Sequence, residues 1–136
     1  VRMIVASFLV KHLRIHWIEG EKHFKNCLVD YNEASNVAQW QWVAGCGADA
    51  APYFRIFNPI LQGEKFDKEG IYTKKWVPEL LNIPNKFLYK PWELEKKYQE
   101  QVKVIIGVDY PAPIVDHAKA RNAALAAFKT IKKLIP

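Results

Sequence analysis

The stretch that decides the fold is DYNEASNVAQWQWVAGCGADAAPYFRIFNP, residues 30–59. It combines Trp40 and Trp42 with several amide, acidic and cationic side chains. Too many of these residues are polar or large for the stretch to fill a hydrophobic core. The same mixture suits a site in which a planar ring is held, polarised and connected to other rings.

One helix is predicted inside this stretch. Asn32 or Ser35 would be its N-cap residue, because both side chains accept hydrogen bonds from the first backbone N–H groups of a helix. The helix is predicted to continue through the two tryptophans to Ala44. Gly45 and Gly47 then end it.

Hydrophobic spacing and the positions of Gly and Pro predict an all-α fold for the rest of the chain. The further predicted elements are a helix over 2–17, a break at 19–20, a helix over 21–29, an irregular segment over 49–63, short helical pieces over 68–75 and 76–81, a helix over 92–101 begun by Pro91, an extended connector over 102–106 and a last helix over 114–133. The last helix is expected to have Arg121, Leu125, Phe128, Ile131 and Ile135 along one side. The first helix has no capping residue, so we expect the natural element to begin upstream of Val1.

Length and composition indicate a single domain with an ordinary core. The chain has 136 residues, half of them hydrophobic and a quarter charged. No apolar run reaches the roughly 20 residues of a membrane helix, so we expect no membrane partner. Lys11, His12 and Arg14 interrupt the first apolar segment, which is unlike a secretion signal. Cys27 and Cys46 have no metal-binding spacing and are typical of reduced cytoplasmic thiols.

Positive charge is concentrated at the two ends of the chain. The net charge is +6; residues 1–28 carry five Lys and Arg against two acids, and residues 101–136 carry six against two. On charge alone, a nucleic-acid partner and a merely solvated surface are about equally good interpretations. The aromatic content favours nucleic acid, since exposed rings stack bases while cations hold phosphates.

A series of sequence words, in order along the chain, resembles one known family. The words are RMIVASFL at 2–9, Asp30, Asn36, WQW at 40–42, DAAPYFRIFNP at 49–59, GEKFD at 63–67, WVPEL at 76–80 and YPAPIVDH at 110–117. They resemble the cryptochrome/photolyase family, and within it the cyclobutane pyrimidine dimer photolyases. The resemblance covers residues 1–136 and implies the C-terminal part of the family's helical FAD-binding domain. The antenna domain and the earlier flavin-domain helices have no counterpart in this sequence.

The resemblance implies FAD as the cofactor and assigns residues to its edge. Asn36 would lie near the reactive ring nitrogen, and Asp30 would pair with Arg2 through a planar, bidentate fork. Asn32 stands where many photolyases have a second Asp, so one contact to the ring edge would differ. Without the resemblance, Asp30 would be read as a capping or loop acid.

The resemblance also implies a tryptophan route for electrons. Trp40 would be the ring nearest the flavin and Trp17 the next ring outward. Either tryptophan alone would be interpreted as a core residue, because an isolated Trp at helical spacing is usually packed. The family's third, surface tryptophan would lie upstream of this sequence.

Four residues are assigned to the substrate by the resemblance. Met3 and Trp42 would form the wall against a flipped pyrimidine dimer, and both are often replaced in cryptochromes, so they favour repair over signalling. Arg55 and Lys65 would contact phosphates beside the lesion. The alternative for both cations is a solvated surface position.

The implied function is light-driven repair of cyclobutane pyrimidine dimers in DNA by electron transfer from reduced FAD, with damaged DNA and an upstream photolyase fragment as partners. We expect the chain by itself to be inactive and cytoplasmic, or nucleoid-associated in a bacterium. A cryptochrome-type photoreceptor and a non-enzymatic basic helical module are the alternatives. GxGxxG, P-loop and HExxH motifs are absent, and no metal site is predicted, since His12 and His16 lack a third ligand.

Overall fold

The computed structural model describes residues 1–50 and 54–132. Their helices are α1 Arg2–Ser7, a π-helical segment Phe8–His12, α2 Trp17–Cys27, α3 Glu33–Ala44, α4 Pro59–Phe66, α5 Ile71–Trp76, three short 3₁₀ turns (Pro78–Leu80, Asn85–Phe87 and Pro91–Glu93), α6 Lys96–Val102 and α7 His117–Lys132. Within these residues the β-structure consists of one isolated bridge between Ile106 and Tyr110. The all-α prediction is confirmed. None of the described helices is both long and apolar enough to cross a membrane.

The chain divides into two compact units. The first unit comprises Val1–Phe57 and Val115–Pro136, and the second comprises Asn58–Ile114. The core of the first is built on Ala6, Trp40 and Val43. The core of the second is Leu80, Ile83, Leu88, Leu94 and Val104.

The predicted single helix over 2–17 is wrong, because the backbone changes course before Trp17. After α1, the N–H of Leu13 bonds to the carbonyl of Phe8 at 3.1 Å, a π-type bond five residues back. Arg14 then takes a left-handed backbone with φ of 55°, which no α-helix can continue through. His16 is extended and caps the next helix, so Trp17 begins α2 instead of ending α1.

The predicted break at 19–20 is also wrong. Gly20 lies inside α2, which runs from Trp17 to Cys27. A Cβ atom at Gly20 would lie 2.1 Å from Cη2 of Trp40. An indole ring packs directly on the helix backbone here, so only glycine fits at this position. Glycine has a low helix propensity, but a helix of this length tolerates it.

The helix predicted in the deciding stretch is confirmed as α3. Asn32 is the N-cap residue: its Oδ1 accepts the N–H of Ser35 at 2.9 Å. Gly45 ends the helix in the left-handed conformation, with φ of 79°.

Several predicted boundaries in the second unit need correction. The segment over 49–63 is not irregular throughout, because Asn58 caps α4 and Pro59 occupies its first turn; residues 51–53 lie outside the described part. The helix predicted over 92–101 is two elements, since Leu94 is extended after the turn Pro91–Glu93. The pieces predicted over 68–75 and 76–81 are α5 and the turn Pro78–Leu80. The extended connector predicted over 102–106 is wrong at its start, because Val102 ends α6 and Lys103 is left-handed with φ of 57°.

The last helix begins later than predicted. Asp116 accepts the N–H of Lys119 at 2.8 Å and so fixes the start of α7 at His117. Among the described side chains of α7, the small Ala124 is buried, at 4% exposed, and Arg121 is exposed. Phe128 stacks on Phe54 with ring centroids 4.2 Å apart. The predicted positions 133 and 135 lie outside the described residues.

Replacing Asp67 by Ala is expected to destabilise α5. Burial would raise the pKa of Asp67, but hydrogen bonds from Thr73, Tyr72 and Tyr89 outweigh it and lower the pKa from 3.8 to about 2. The substitution leaves two helix N–H groups without their acceptor, which should cost about 1 kcal/mol. The measurement is amide hydrogen exchange of Tyr72 and Thr73 in the variant.

The same bonds predict an acid dependence. Because the pKa of Asp67 is lower in the folded state, the contribution of Asp67 to stability is present above pH 3.8 and is lost as the pH falls towards about 2.

Glu69→Ala, in the same turn, is the matched control for Asp67→Ala. Equal exchange of Tyr72 and Thr73 in Asp67→Ala and Glu69→Ala would contradict the role of Asp67 as the acceptor of these N–H groups.

Candidate functional site

A cavity of about 460 Å³ lies in the first unit between α1, α2 and α3. Its volume is in the range of small-molecule sites. Six of the predicted site residues line it: Arg2, Met3, Asp30, Asn32, Asn36 and Trp40. The sequence places them up to 38 positions apart, and the helix packing brings them to one space.

The polar rim of the cavity contains a paired Arg2 and Asp30. Nη2 of Arg2 donates to both carboxylate oxygens, at 2.7 and 2.9 Å. One nitrogen makes both bonds, so the expected two-nitrogen fork is not what the structure shows. The hydrogen bond from Arg2 lowers the pKa of Asp30. Both side chains are more than half exposed, so the pair orients the rim and adds little stability.

Asn36 is oriented by hydrogen bonds to Glu21, a residue that was not predicted from the sequence. Its Nδ2 donates to the backbone carbonyl and to Oε1 of Glu21, both at 3.1 Å. Because both amide hydrogens are used in this way, Oδ1 is the group that Asn36 can offer to a ligand. Tyr31 donates to the same Glu21 oxygen at 3.5 Å. No motif or spacing marks Glu21, which becomes visible only when α2 lies against α3.

Trp40 forms the apolar wall of the cavity and is 2% exposed. Its ring meets the edge of Phe24, with centroids 5.0 Å apart and planes at 75°. Gly20 lies beneath the indole, and the ring can approach this closely because glycine has no Cβ atom. Gly20 is a second residue whose role was missed, because a glycine before a polar run is typical of a break.

Trp17 is half-buried and packs against the same core cluster as Trp40. On its outer side lies the ring of His16, with centroids 5.8 Å apart. The two tryptophans of the predicted electron route therefore share one cluster. Their role in electron transfer stays a prediction.

The structure does not bring the other predicted residues to the cavity. Trp42 is half-buried against the same core, but it lies about 200° around α3 from Trp40 and does not line the cavity. Arg55 is exposed, with its guanidinium 4.7 Å from the centre of the Phe57 ring. Lys65 belongs to α4 of the second unit and lies over Phe66 at 5.2 Å. Their assignment to a substrate stays a prediction.

Metal-ligating side chains are not clustered in the described part of the chain. Among residues 1–50 and 54–131, no group of three or more His, Cys, Asp or Glu side chains could hold an ion. The site in the first unit is therefore a mostly apolar cavity with an amide and carboxylate rim.

The comparison with known proteins identifies the family. The family model described as the FAD binding domain of DNA photolyase matches residues 1–130. The chain belongs to this photolyase family. FAD is the cofactor for which the family's domain is named.

Individual relatives agree with this assignment. The deoxyribodipyrimidine photo-lyase of Agrobacterium fabrum is 59% identical over 133 residues, covering 98% of this chain and 28% of that protein. A solved class III photolyase from Agrobacterium tumefaciens superposes with a TM-score of 0.90, over 97% of this chain and 27% of the other. A cryptochrome from Synechocystis superposes at 0.85 with 41% identity, over 92% of this chain and 26% of the other. The chain thus spans just over a quarter of the length of these relatives.

The residues of the cavity fit a flavin. A planar, largely apolar ring needs an apolar wall, which Trp40, Phe24 and Leu28 provide. Its polar edge needs fixed donors and acceptors, and the Asn36 Oδ1 and the Asp30 carboxylate are available there. Asn32 uses its Oδ1 to cap α3, so its amide nitrogen is the atom it can turn to a ligand.

Gly20→Ala is expected to displace Trp40 and deform the cavity. The added methyl would lie far inside contact distance of the indole, and overpacking of this kind costs about 1–3 kcal/mol. Urea unfolding and the near-ultraviolet circular dichroism of the tryptophans would measure the effect.

A double-mutant cycle supplies the control. If the cost arises from the indole, Gly20→Ala should cost clearly less in a Trp40→Leu background. Additive costs would show that Gly20 is needed for another reason.

Proposed function

We propose that this chain forms the flavin-edge part of a light-driven enzyme that repairs cyclobutane pyrimidine dimers in DNA. The observation that carries the proposal is the single cavity shared by Arg2, Met3, Asp30, Asn36 and Trp40. The similarity to the deoxyribodipyrimidine photo-lyase of Agrobacterium fabrum supports the same reaction. Bound FAD in its reduced form would supply the light-excited electron donor.

The side chains of the chain would hold and tune this cofactor. The Arg2–Asp30 pair would fix the rim, and the Oδ1 of Asn36 would accept a hydrogen bond from a ring N–H. Glu21 would keep that amide in the correct orientation, because both of its hydrogens are already bonded. Trp40 would exclude water from the ring face and offer an oxidisable indole, with Trp17 as the next ring outward.

Substrate recognition is proposed for four further positions. Met3 is 38% exposed and lines the cavity, so it could contact a base that has been turned out of the duplex. Trp42 would add an aromatic surface. Arg55 and Lys65 are exposed cations that would contact phosphates.

One observation supports the alternative that the protein is a photoreceptor. The Synechocystis cryptochrome has the same fold over 92% of this chain, so fold alone does not separate repair from signalling. Met3 and Trp42 favour repair, because cryptochromes often carry other residues at these positions. The alternative of a basic nucleic-acid-binding module predicts salt-sensitive binding without preference for damaged DNA.

The first test is FAD binding by the 136-residue chain. We expect a dissociation constant weaker than about 1 μM, because the side chains of Arg2 and Asp30 are 57% and 68% exposed. Glu21→Ala should weaken binding by a further 0.5–1.5 kcal/mol, roughly the net worth of one hydrogen bond, by freeing the Asn36 amide. Absorption and fluorescence titration with FAD would measure both constants.

Two further variants make this test specific. Glu21→Gln retains an acceptor for Asn36 and should bind FAD nearly as the unaltered chain does. Asn26→Ala, an exposed amide on the same helix, should have no effect. Sub-micromolar binding by the chain would overturn the expectation of weak binding, and no FAD binding at saturating concentration would count against the cavity as a flavin site.

The second test concerns repair. The chain is mixed with an upstream photolyase fragment and FAD, and the FAD is reduced. The mixture is illuminated in the presence of a dimer-bearing oligonucleotide, and the restored pyrimidines are counted. Trp42→Ala should weaken lesion binding by about 1–3 kcal/mol if the indole stacks on a base. Trp92→Ala, an exposed tryptophan of the second unit, is the control. Unchanged lesion binding in the first variant would remove Trp42 from the substrate wall.

A further inference from the structure

Two histidines far apart in the sequence are in direct contact in the first unit. Nε2 of His12 lies 2.8 Å from Nδ1 of His117. His12 belongs to the π-helical segment and is 6% exposed, and His117 is the first residue of α7. These two residues are called the histidine pair below.

The hydrogen bonding of the histidine pair requires at least one neutral ring. One ring must donate and the other must accept, since both nitrogens of an imidazolium are donors. Nδ1 of His12 is buried and has no hydrogen-bond partner among the described residues. Which ring donates depends on the tautomers, and with either assignment the bond exists only while one ring is neutral.

Packing holds the buried ring in place. The ring of His12 stacks on Phe8, with centroids 5.0 Å apart and planes at 27°. The neighbouring Lys11 is turned away, because its ammonium donates to the carbonyl of Arg55 and lies over Phe54. His12 therefore has little freedom to leave the contact while α7 is docked.

No carboxylate among the described residues compensates a charge on His12. The acids of the elements packed against the π-helical segment have other partners. These partnerships are Asp30 with Arg2 of α1, Glu19 with Lys22, Glu21 with Asn36, Glu33 of α3 with Lys25, and Asp116 with the N–H of Lys119. The remaining ionisable groups on those elements are cationic or histidine side chains, namely His23 beside Cys27 on α2, and His117, Lys119, Arg121 and Lys129 on α7.

We propose that the histidine pair is an acid-sensitive contact that attaches α7 to the π-helical segment. A second proton on the pair leaves two donors facing each other, and the start of α7 separates. Above the titration range the pair is neutral and α7 stays docked. The proposal concerns the first unit alone and is independent of the proposed repair function.

The direction of the pH dependence follows from the environment of His12. Burial lowers the pKa of His12 below 6.5, the charge of His117 lowers it further, and the backbone of Ser7 acts weakly in the opposite sense. The separated state therefore binds protons more readily than the docked state. The contribution to docking is present above pH 6.5 and is lost as the pH falls through the lower pKa of the docked state.

Separation of α7 would uncover a second surface. Ala124, Phe128 and Ile131 of α7 line a cavity of about 570 Å³ together with Lys11 and Phe54. The stacking of Phe54 on Phe128 would be lost with the helix. Acidification should thus expose a buried lysine whose pKa burial has lowered.

The test is amide hydrogen exchange of α7 between about pH 7.5 and about pH 5, on either side of the ordinary histidine pKa, corrected for intrinsic exchange rates. In the unaltered chain, the opening of α7 should increase by up to about tenfold per pH unit for each proton taken up. His117→Asn keeps an acceptor near the position of Nδ1 but does not titrate, so its opening should depend less on pH. His23→Asn, an exposed histidine of α2, should behave as the unaltered chain does.

A second measurement on the unaltered chain protects the test against a poorly folded variant. The imidazole proton shifts of both histidines are followed by NMR, and those of His12 should change over the pH range in which α7 loses protection. The proposal is overturned if both rings take up protons while α7 remains protected. It is also overturned if His117→Asn loses α7 protection with the same pH dependence as the unaltered chain.

Discussion

The first unit depends on one close contact, the indole of Trp40 lying on the backbone of α2 at Gly20. The ring would be 2.1 Å from any Cβ there, so this crossing of α2 and α3 is available to glycine alone. The contact fully buries the indole of Trp40 and brings Phe24 to its edge. Burial of an aromatic side chain of this size contributes several kcal/mol, more than any surface ion pair in the unit.

The chemistry of the cavity follows from the same contact. Glu21 is the next residue after Gly20, and the crossing that seats Trp40 also places the Glu21 carboxylate and carbonyl against the amide of Asn36. Asn36 and Trp40 are four residues apart on α3 and therefore face the same side. The packing of Trp40 on Gly20 therefore produces both the apolar wall of the cavity and the orientation of the Asn36 amide. The Arg2–Asp30 pair at the rim is more exposed and depends on α1.

The sequence predicted those features that depend on local chemistry. The N-cap at Asn32, the stop at Gly45 and the all-α class are readable because capping and left-handed glycine act over a few residues. The pairing of Arg2 with Asp30 and the shared cavity came from the family resemblance, which carries long-range information that periodicity lacks. The π-helical segment and the left-handed Arg14 were not predicted, since hydrophobic spacing does not mark either of them. The helical Gly20 could not be predicted, because it is required by Trp40, a partner distant in sequence. Glu21 and the histidine pair were missed for the same reason.

The most direct measurement of the central contact is the NMR shift of the Gly20 Hα protons. If the Trp40 ring lies on the α2 backbone, its ring current should move at least one of these protons strongly upfield in the unaltered chain. The displacement should disappear in Trp40→Leu while α2 remains helical. Ordinary helical shifts for both Gly20 protons in the unaltered chain would contradict the contact, and with it the origin of the cavity.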